Sequence, residues 1–172
     1  MILNVPSVNI ITINRMIRVR LQIGDGEILD TIDGYGLVYV SSDHRFEAPI
    51  KEFEKSSYPE QEGENIIAKT VSDAFDYKVT WFVKTDGSLG NANTVIKNFN
   101  SRLYTSNGDI KAFKQVAFYN DYKKVKIVGI PSPIQEATEF WRDANGKQHD
   151  VVCVEWVIRV SKPSLCDFNL TE

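Results

Sequence analysis

The chain has 172 residues, of which 42% are hydrophobic and 25% charged, the composition of one ordinary globular domain and not of a disordered, collagenous or disulfide-stapled chain. A chain of this size hides roughly 68–70% of its unfolded surface, enough for a core without metals or cross-links. With 20 Lys+Arg against 23 Asp+Glu, the formal net charge of -3 argues against a surface built to neutralise phosphates, so no sequence-specific nucleic acid is expected as a partner.

The first residues, Met1 to Arg15, lack a positive region followed by an apolar run and a small-residue cleavage site, so no secretory leader is expected. Apolar residues then alternate through Ile17, Val19, Leu21 and Ile23 and stop at Gly24-Asp25-Gly26, the pattern of a half-buried strand ending in a turn. Ile28-Leu29 and Gly36 to Val40 flank Asp33-Gly34, which predicts a hairpin with a tight turn. Ser41 to Ile66 reads as a long ordered loop, broken by Pro49, Pro59 and Gly63 and anchored by Phe46, Ile50, Phe53 and Tyr58, with a short strand over 50–55.

Phe75, Tyr77, Val79, Trp81 and Val83 fall on one face at strict period 2, which predicts a core strand. Val95, Ile96, Phe99 and Leu103 follow the helical period and predict one helix over 92–104, capped by Asn91 or Asn93 and closed by Asn107-Gly108. Three more strands are predicted: Phe113 to Tyr119, Val125 to Ile130 (stopped by Pro131 and Pro133) and Val151 to Val160, the last preceded by a turn at Ala144 to Lys147. The expected architecture is mainly β: an antiparallel split β-barrel or sandwich with one packed α-helix, in a single domain over 1–172. No apolar run approaches the roughly 20 residues of a membrane-spanning helix, so no membrane partner is expected.

Chemical motifs are sparse. Asp43-His44-Arg45 has the residue types of an acid/base pair, but no nucleophile in a GxSxG context accompanies it, and a polar turn is the simpler reading. In one strand His149 and Cys153 would lie about 13 Å apart, too far for proton transfer. Cys153 and Cys166 lack a CxxC or paired Cys/His spacing and read as free thiols. Gly34-Tyr35-Gly36 lacks the third glycine of a pyrophosphate cradle, and the acidic residues Glu60, Glu62, Glu64, Asp73 and Asp76 lack EF-hand spacing. Lys111, Lys114, Lys123, Lys124 and Lys126, interleaved with Phe113, Phe118, Tyr119 and Tyr122, read as a strand surface with inward aromatics and outward lysines. No catalytic residue, cofactor or metal is expected.

The order of segments carries more information than any motif: a strand pair leading to Gly36-Leu37-Val38-Tyr39-Val40, a polar linker with Pro49 and Ile50, then Tyr58-Pro59-Glu60-Gln61-Glu62-Gly63-Glu64-Asn65-Ile66. The alternating strand Tyr77 to Val83 follows, then the helix around Ile96 to Leu103, a hairpin ending in Lys126-Ile127-Val128-Gly129-Ile130, and Val151 to Val160 before Pro163-Ser164-Leu165. From Gly36 to Pro163 this resembles the N-terminal, ring-forming domain of the distal tail proteins of long-tailed bacteriophages and their prophage relatives.

The resemblance implies a structural, non-enzymatic virion protein, made in the bacterial cytoplasm, that forms a hexameric ring at the tail tip and joins the tail tube to the baseplate. Its partners would be further copies of itself and other tail proteins. Tyr58, Phe140 and Trp141 are interface candidates, being aromatic residues in loop or edge contexts. Glu60, Glu62 and Glu64 are channel-facing candidates, because a negative lining repels passing nucleic acid. The alternative expectation is a β-sandwich module of a bacterial surface that binds carbohydrate or another ligand on exposed Trp81, Trp141 and tyrosines.

Overall fold

The computed structural model describes residues 19–50, 55–56, 65–66, 72–84, 89–107, 110–142 and 148–171. In chain order these form β1 (Val19–Ile23), β2 (Leu29–Asp30), α1 (Thr31–Tyr35), β3 (Leu37–Ser42), β4 (Lys55–Ser56), β5 (Asn65–Ile66), β6 (Phe75–Lys84) and α2 (Leu89–Arg102). There follow β7 (Tyr104–Asn107), β8 (Ile110–Phe113), β9 (Val116–Asn120), β10 (Val125–Pro131), β11 (Ala137–Arg142), β12 (Gln148–Val160) and a 3-10 turn at Pro163–Leu165. Eight strands share one sheet in the order β2-β1-β9-β10-β12-β6-β3, with β11 beside β12 and every pairing antiparallel. The mainly antiparallel β class with one long helix is as the sequence predicts.

The sheet folds over on itself at β10. Val125 to Gly129 pair with β9, whereas Ile130 and Pro131 pair with Arg159 and Ile158 of β12. Gly129 is the hinge because nothing larger fits: a Cβ there would lie 2.5 Å from the Arg159 carbonyl oxygen and 2.7 Å from Ile158 Cγ2. Where β12 has diverged, the chain end takes its place, with Asp167 and Lys126 exchanging two backbone hydrogen bonds and Leu170 N–H donating to the Lys124 carbonyl. The two halves then face one another, and Phe118 of β9 meets Tyr39 of β3 and Tyr77 and Trp81 of β6 at ring-centroid distances of 5.9 to 6.4 Å. Among the described residues no pairing joins β2 to β3, so the result is a sandwich and not a closed barrel.

Period 2 dictates the core. Phe75, Tyr77, Val79, Trp81 and Val83 of β6 are all buried, with Val152, Val154, Trp156, Ile158 and Val160 of β12 beside them. Helix α2 covers this surface with Ala92 and Phe99, joined by Leu103 just beyond its end, all three buried at helical spacing, and Phe99 meets Trp156 edge to face at 5.5 Å.

Three predicted elements differ. The expected Asp33-Gly34 turn is the short helix α1: Asp30 Oδ1 accepts hydrogen bonds from the Ile32 and Asp33 N–H groups, and Gly36, at φ +70°, supplies the left-handed cap. The long helix spans 89–102 and not 92–104, because Tyr104 starts a hairpin with β8 in register with Phe113, at the place where Asn107-Gly108 was expected only to close the helix. The predicted strand over 113–119 is broken before Val116. There the Lys114 N–H turns to the Leu103 carbonyl and the Gln115 carbonyl to the Gly24 N–H, so the backbone serves two different neighbours.

Candidate assembly surface

The polar groups of the sandwich mouth are used in holding it together. Ser42, the last residue of β3, places its hydroxyl 2.9 Å from the Tyr39 hydroxyl and 3.0 Å from that of Tyr77. Lys123, in the turn between β9 and β10, donates from Nζ to the Ser42 hydroxyl at 3.2 Å and to the carbonyl oxygens of Ser42 and Asp43. Lys123 thus clamps one half-sheet onto the other. Burial pushes the Tyr77 phenol up to about 12, with the Ser42 hydrogen bond acting in the opposite sense. A phenol held neutral so far above physiological pH is a structural hydrogen-bonding group and not a general base.

The remaining titratable candidates form no acid/base or nucleophile pair among the described contacts, and His44 is exposed. His44 lies against the Phe46 ring at 4.6 Å, and the Arg45 guanidinium sits 4.7 Å over the Phe75 ring. Cys153 is buried, and Cys166 is half-buried against the backbone of Val128, burial raising its thiol pKa; no disulfide joins them. The backbone of His149 lies in β12. Of the lysines in the predicted basic surface, Lys111 covers the Tyr104 ring, and Lys126 with Arg20 covers Tyr119 from the strands on either side. No group of three or more His, Cys, Asp or Glu side chains able to hold a metal occurs among the described residues, and none of their helices is long and apolar enough to cross a membrane.

What stands out is apolar surface at the sandwich mouth. Phe46 is 80% exposed and Tyr122 72% exposed, and Lys123 ties their two loops together. Phe46 was expected as a buried anchor of its loop, as was Ile50, which is 49% exposed. The loop is nevertheless fastened along its length. Asp43 bonds both ways to the backbone of Lys78, Arg45 rests on Phe75, the Asp73 N–H donates to the Pro49 carbonyl and Ile50 bridges Ser72. Phe46 is therefore presented on a tethered loop and not on a loose one.

At the other end of β6 lies a groove of about 390 Å³ between α2 and the segment entering β11. Ala92, Ile134 and Val152 are its buried apolar walls, Ile96 flanks it, and Lys97 and Glu136 stand exposed on its margin. Asn100 holds the wall in place: its Nδ2 donates to the Ile134 carbonyl at 2.7 Å, and its Oδ1 accepts from the Ile134 N–H at 2.9 Å.

Of the residues singled out from sequence, Tyr58, Glu60, Glu62 and Glu64 lie outside the described residues, as does Phe53. Phe140 and Trp141 lie in β11, where Phe140 pairs with Val152, so their backbone is in the sheet and not in a loop. Trp81, a proposed stacking platform for sugars, is fully buried and in edge contact with Phe118, which removes it from any exposed site. Sequence reasoning missed the groove, because its walls come from three segments remote in sequence; the one local signal was Asn100, a polar residue next to the apolar stripe of α2.

No protein-family model matches the chain, and no curated protein matches it. Among solved structures it is similar to SPP1 Dit (gp 19.1), described as a paradigm of the hub adsorption apparatus in phages infecting Gram-positive bacteria, with a TM-score of 0.49 and 16% identity. That similarity covers 84% of this chain and 50% of the other, so the chain spans half the length of the protein it matches.

Proposed function

We propose that this chain is a structural, non-enzymatic protein of a phage or prophage tail that assembles as a hexameric ring at the tail tip and connects the tail tube to the baseplate. The observation that carries this reading is the exposed aromatic pair Phe46 and Tyr122 on loops fastened to the sandwich. Ordered, exposed aromatics are costly to leave in water and are enriched in the buried centres of protein interfaces. The order of segments from Gly36 to Pro163, which resembles the ring domain of distal tail proteins, supports the same reading.

Under this reading the protein resides in the virion tail, with other tail proteins as its axial neighbours, after assembly in the bacterial cytoplasm. Tyr58, Phe140 and Trp141 contribute to contacts between subunits, and Glu60, Glu62 and Glu64 face the channel, where their charge keeps DNA from adhering. The rival reading, a surface module that stacks sugars on exposed tryptophans, has lost one of its two, since Trp81 is in the core. Negative-stain imaging of the purified chain tests the proposal: rings of uniform diameter with six-fold averages support it, and a field of isolated single-subunit particles at every concentration overturns it.

A further inference from the structure

We propose that residues 166–170 are a strap that opens as a unit while the sandwich stays folded, and that when closed it holds the two loops of the aromatic mouth in place. The value of that hold for assembly rests on the ring reading.

The strap is built as a strand on β10. Asp167 and Lys126 exchange two backbone hydrogen bonds, and the Leu170 N–H donates to the Lys124 carbonyl. Antiparallel pairing would next set residue 165 against Val128, but the 3-10 turn at Pro163–Leu165 carries the backbone away. The Cys166 thiol takes its place: Sγ accepts from the Val128 N–H at 3.3 Å and donates to the Val128 carbonyl at 3.7 Å. Cys166, Phe168 and Leu170 are half-buried whereas Asp167 and Asn169 are exposed, the period 2 of a strand with one face on the body.

Both loops of the mouth are within its reach. Phe168 meets the Phe75 ring at 6.3 Å, the same ring that Arg45, next to Phe46, covers at 4.7 Å. Leu170 bonds Lys124, which ends the turn carrying Tyr122 and, at φ +54°, is the non-glycine residue in the left-handed region among the described residues. Such a backbone persists where its surroundings hold it.

Little holds the strap itself. No residue from Ser161 to Thr171 is buried, whereas β6, β10 and β12 carry the core. Segments with few buried apolar contacts and exposed hydrogen bonds open at lower free energy than the core. By reciprocity, a contact that needs the mouth in place slows the opening of the strap.

The two thiols of the full chain read this directly. Under native conditions and at dilution, with each rate taken relative to the unfolded chain, Cys166 should react with a thiol reagent at least about tenfold faster than Cys153, which is buried in β12. Phe168→Ala, and Leu170→Pro, which removes the N–H that bonds Lys124, should each speed Cys166 labelling by about tenfold and leave Cys153 unchanged. Hydrogen exchange in both variants should quicken at the Asp43 and Lys123 amides of the mouth and stay the same at Val79 and Trp156, the control for folding. Equal labelling of the two thiols would overturn the strap, and mouth amides that ignore both substitutions would overturn its hold on the mouth. Wild-type assembly, followed by light scattering, should slow Cys166 labelling, and unchanged labelling in the assembled species would break the link to assembly. Absence of wild-type assembly would remove the ring reading and leave the measurements on the strap standing.

Discussion

The Cβ that Gly129 lacks would stand 2.5 Å from the carbonyl oxygen of Arg159, at the one place where β10 leaves β9 for β12. The fold-over of the sheet therefore depends on a missing methyl group. Gly129→Ala forces backbone to move against backbone and is expected to cost about 1–3 kcal/mol, read as a lowered urea midpoint at unchanged slope. An unchanged midpoint would mean that β10 crosses over without a close approach.

Lys123 makes a second tie between the halves, through Ser42 and Asp43. Lys123→Met keeps the apolar stem and removes the donors, and should destabilise by about 1–2 kcal/mol, since several acceptors lose one partner. In a double-mutant cycle with Ser42→Ala the two changes should be non-additive; strict additivity would show that the clamp does not form.

Alkaline pH should weaken the protein through Tyr77. Its phenol ionises at about 12 in the folded state against 10.0 in the unfolded chain, so between these values the unfolded state has lost a proton that the folded state keeps. Stability from this group is complete below pH 10 and declines as pH rises from 10 through 12, by up to about 1.4 kcal/mol per unit. Tyr35 and Cys166, both raised above their ordinary values by burial, act in the same direction, Cys166 from about pH 9 upward. Tyr77→Phe should flatten the decline between pH 10 and 12 in unfolding experiments, and an equal slope in both proteins would contradict the assignment.

Asn100 positions the groove wall by bonding both polar groups of Ile134. Asn100→Asp keeps the acceptor for the Ile134 N–H but sets a carboxylate against the Ile134 carbonyl, whereas Asn100→Ala removes both bonds. Each should lower stability by about 1–3 kcal/mol, with the aspartate variant recovering in acid as its carboxyl protonates and can donate again. Failure of low pH to narrow the gap between the aspartate variant and wild type would show that the Ile134 carbonyl does not need that donor.

Legibility of this sequence followed locality. The face of β6 was readable because period 2 is a property of consecutive residues, and the stripe of α2 because helical spacing is too. The short helix α1 was not, since Asp33-Gly34 is an ordinary turn signal and what decides the outcome is the pair of caps at Asp30 and Gly36. The break before Val116 depends on Leu103 and Gly24, distant partners that no local pattern announces. Exposure failed where no period exists: Trp81 lies on the alternating core face of β6 and is buried, whereas Phe46 stands in a loop with no repeat to say which way it faces, and it is 80% exposed.

The central claim is that the chain works by assembling with itself, and light scattering coupled to size exclusion over a range of concentrations tests it most directly. The account predicts a species of six times the 19.5 kDa subunit mass that grows at the expense of the monomer as concentration rises. A single species of one subunit mass at every concentration would contradict it.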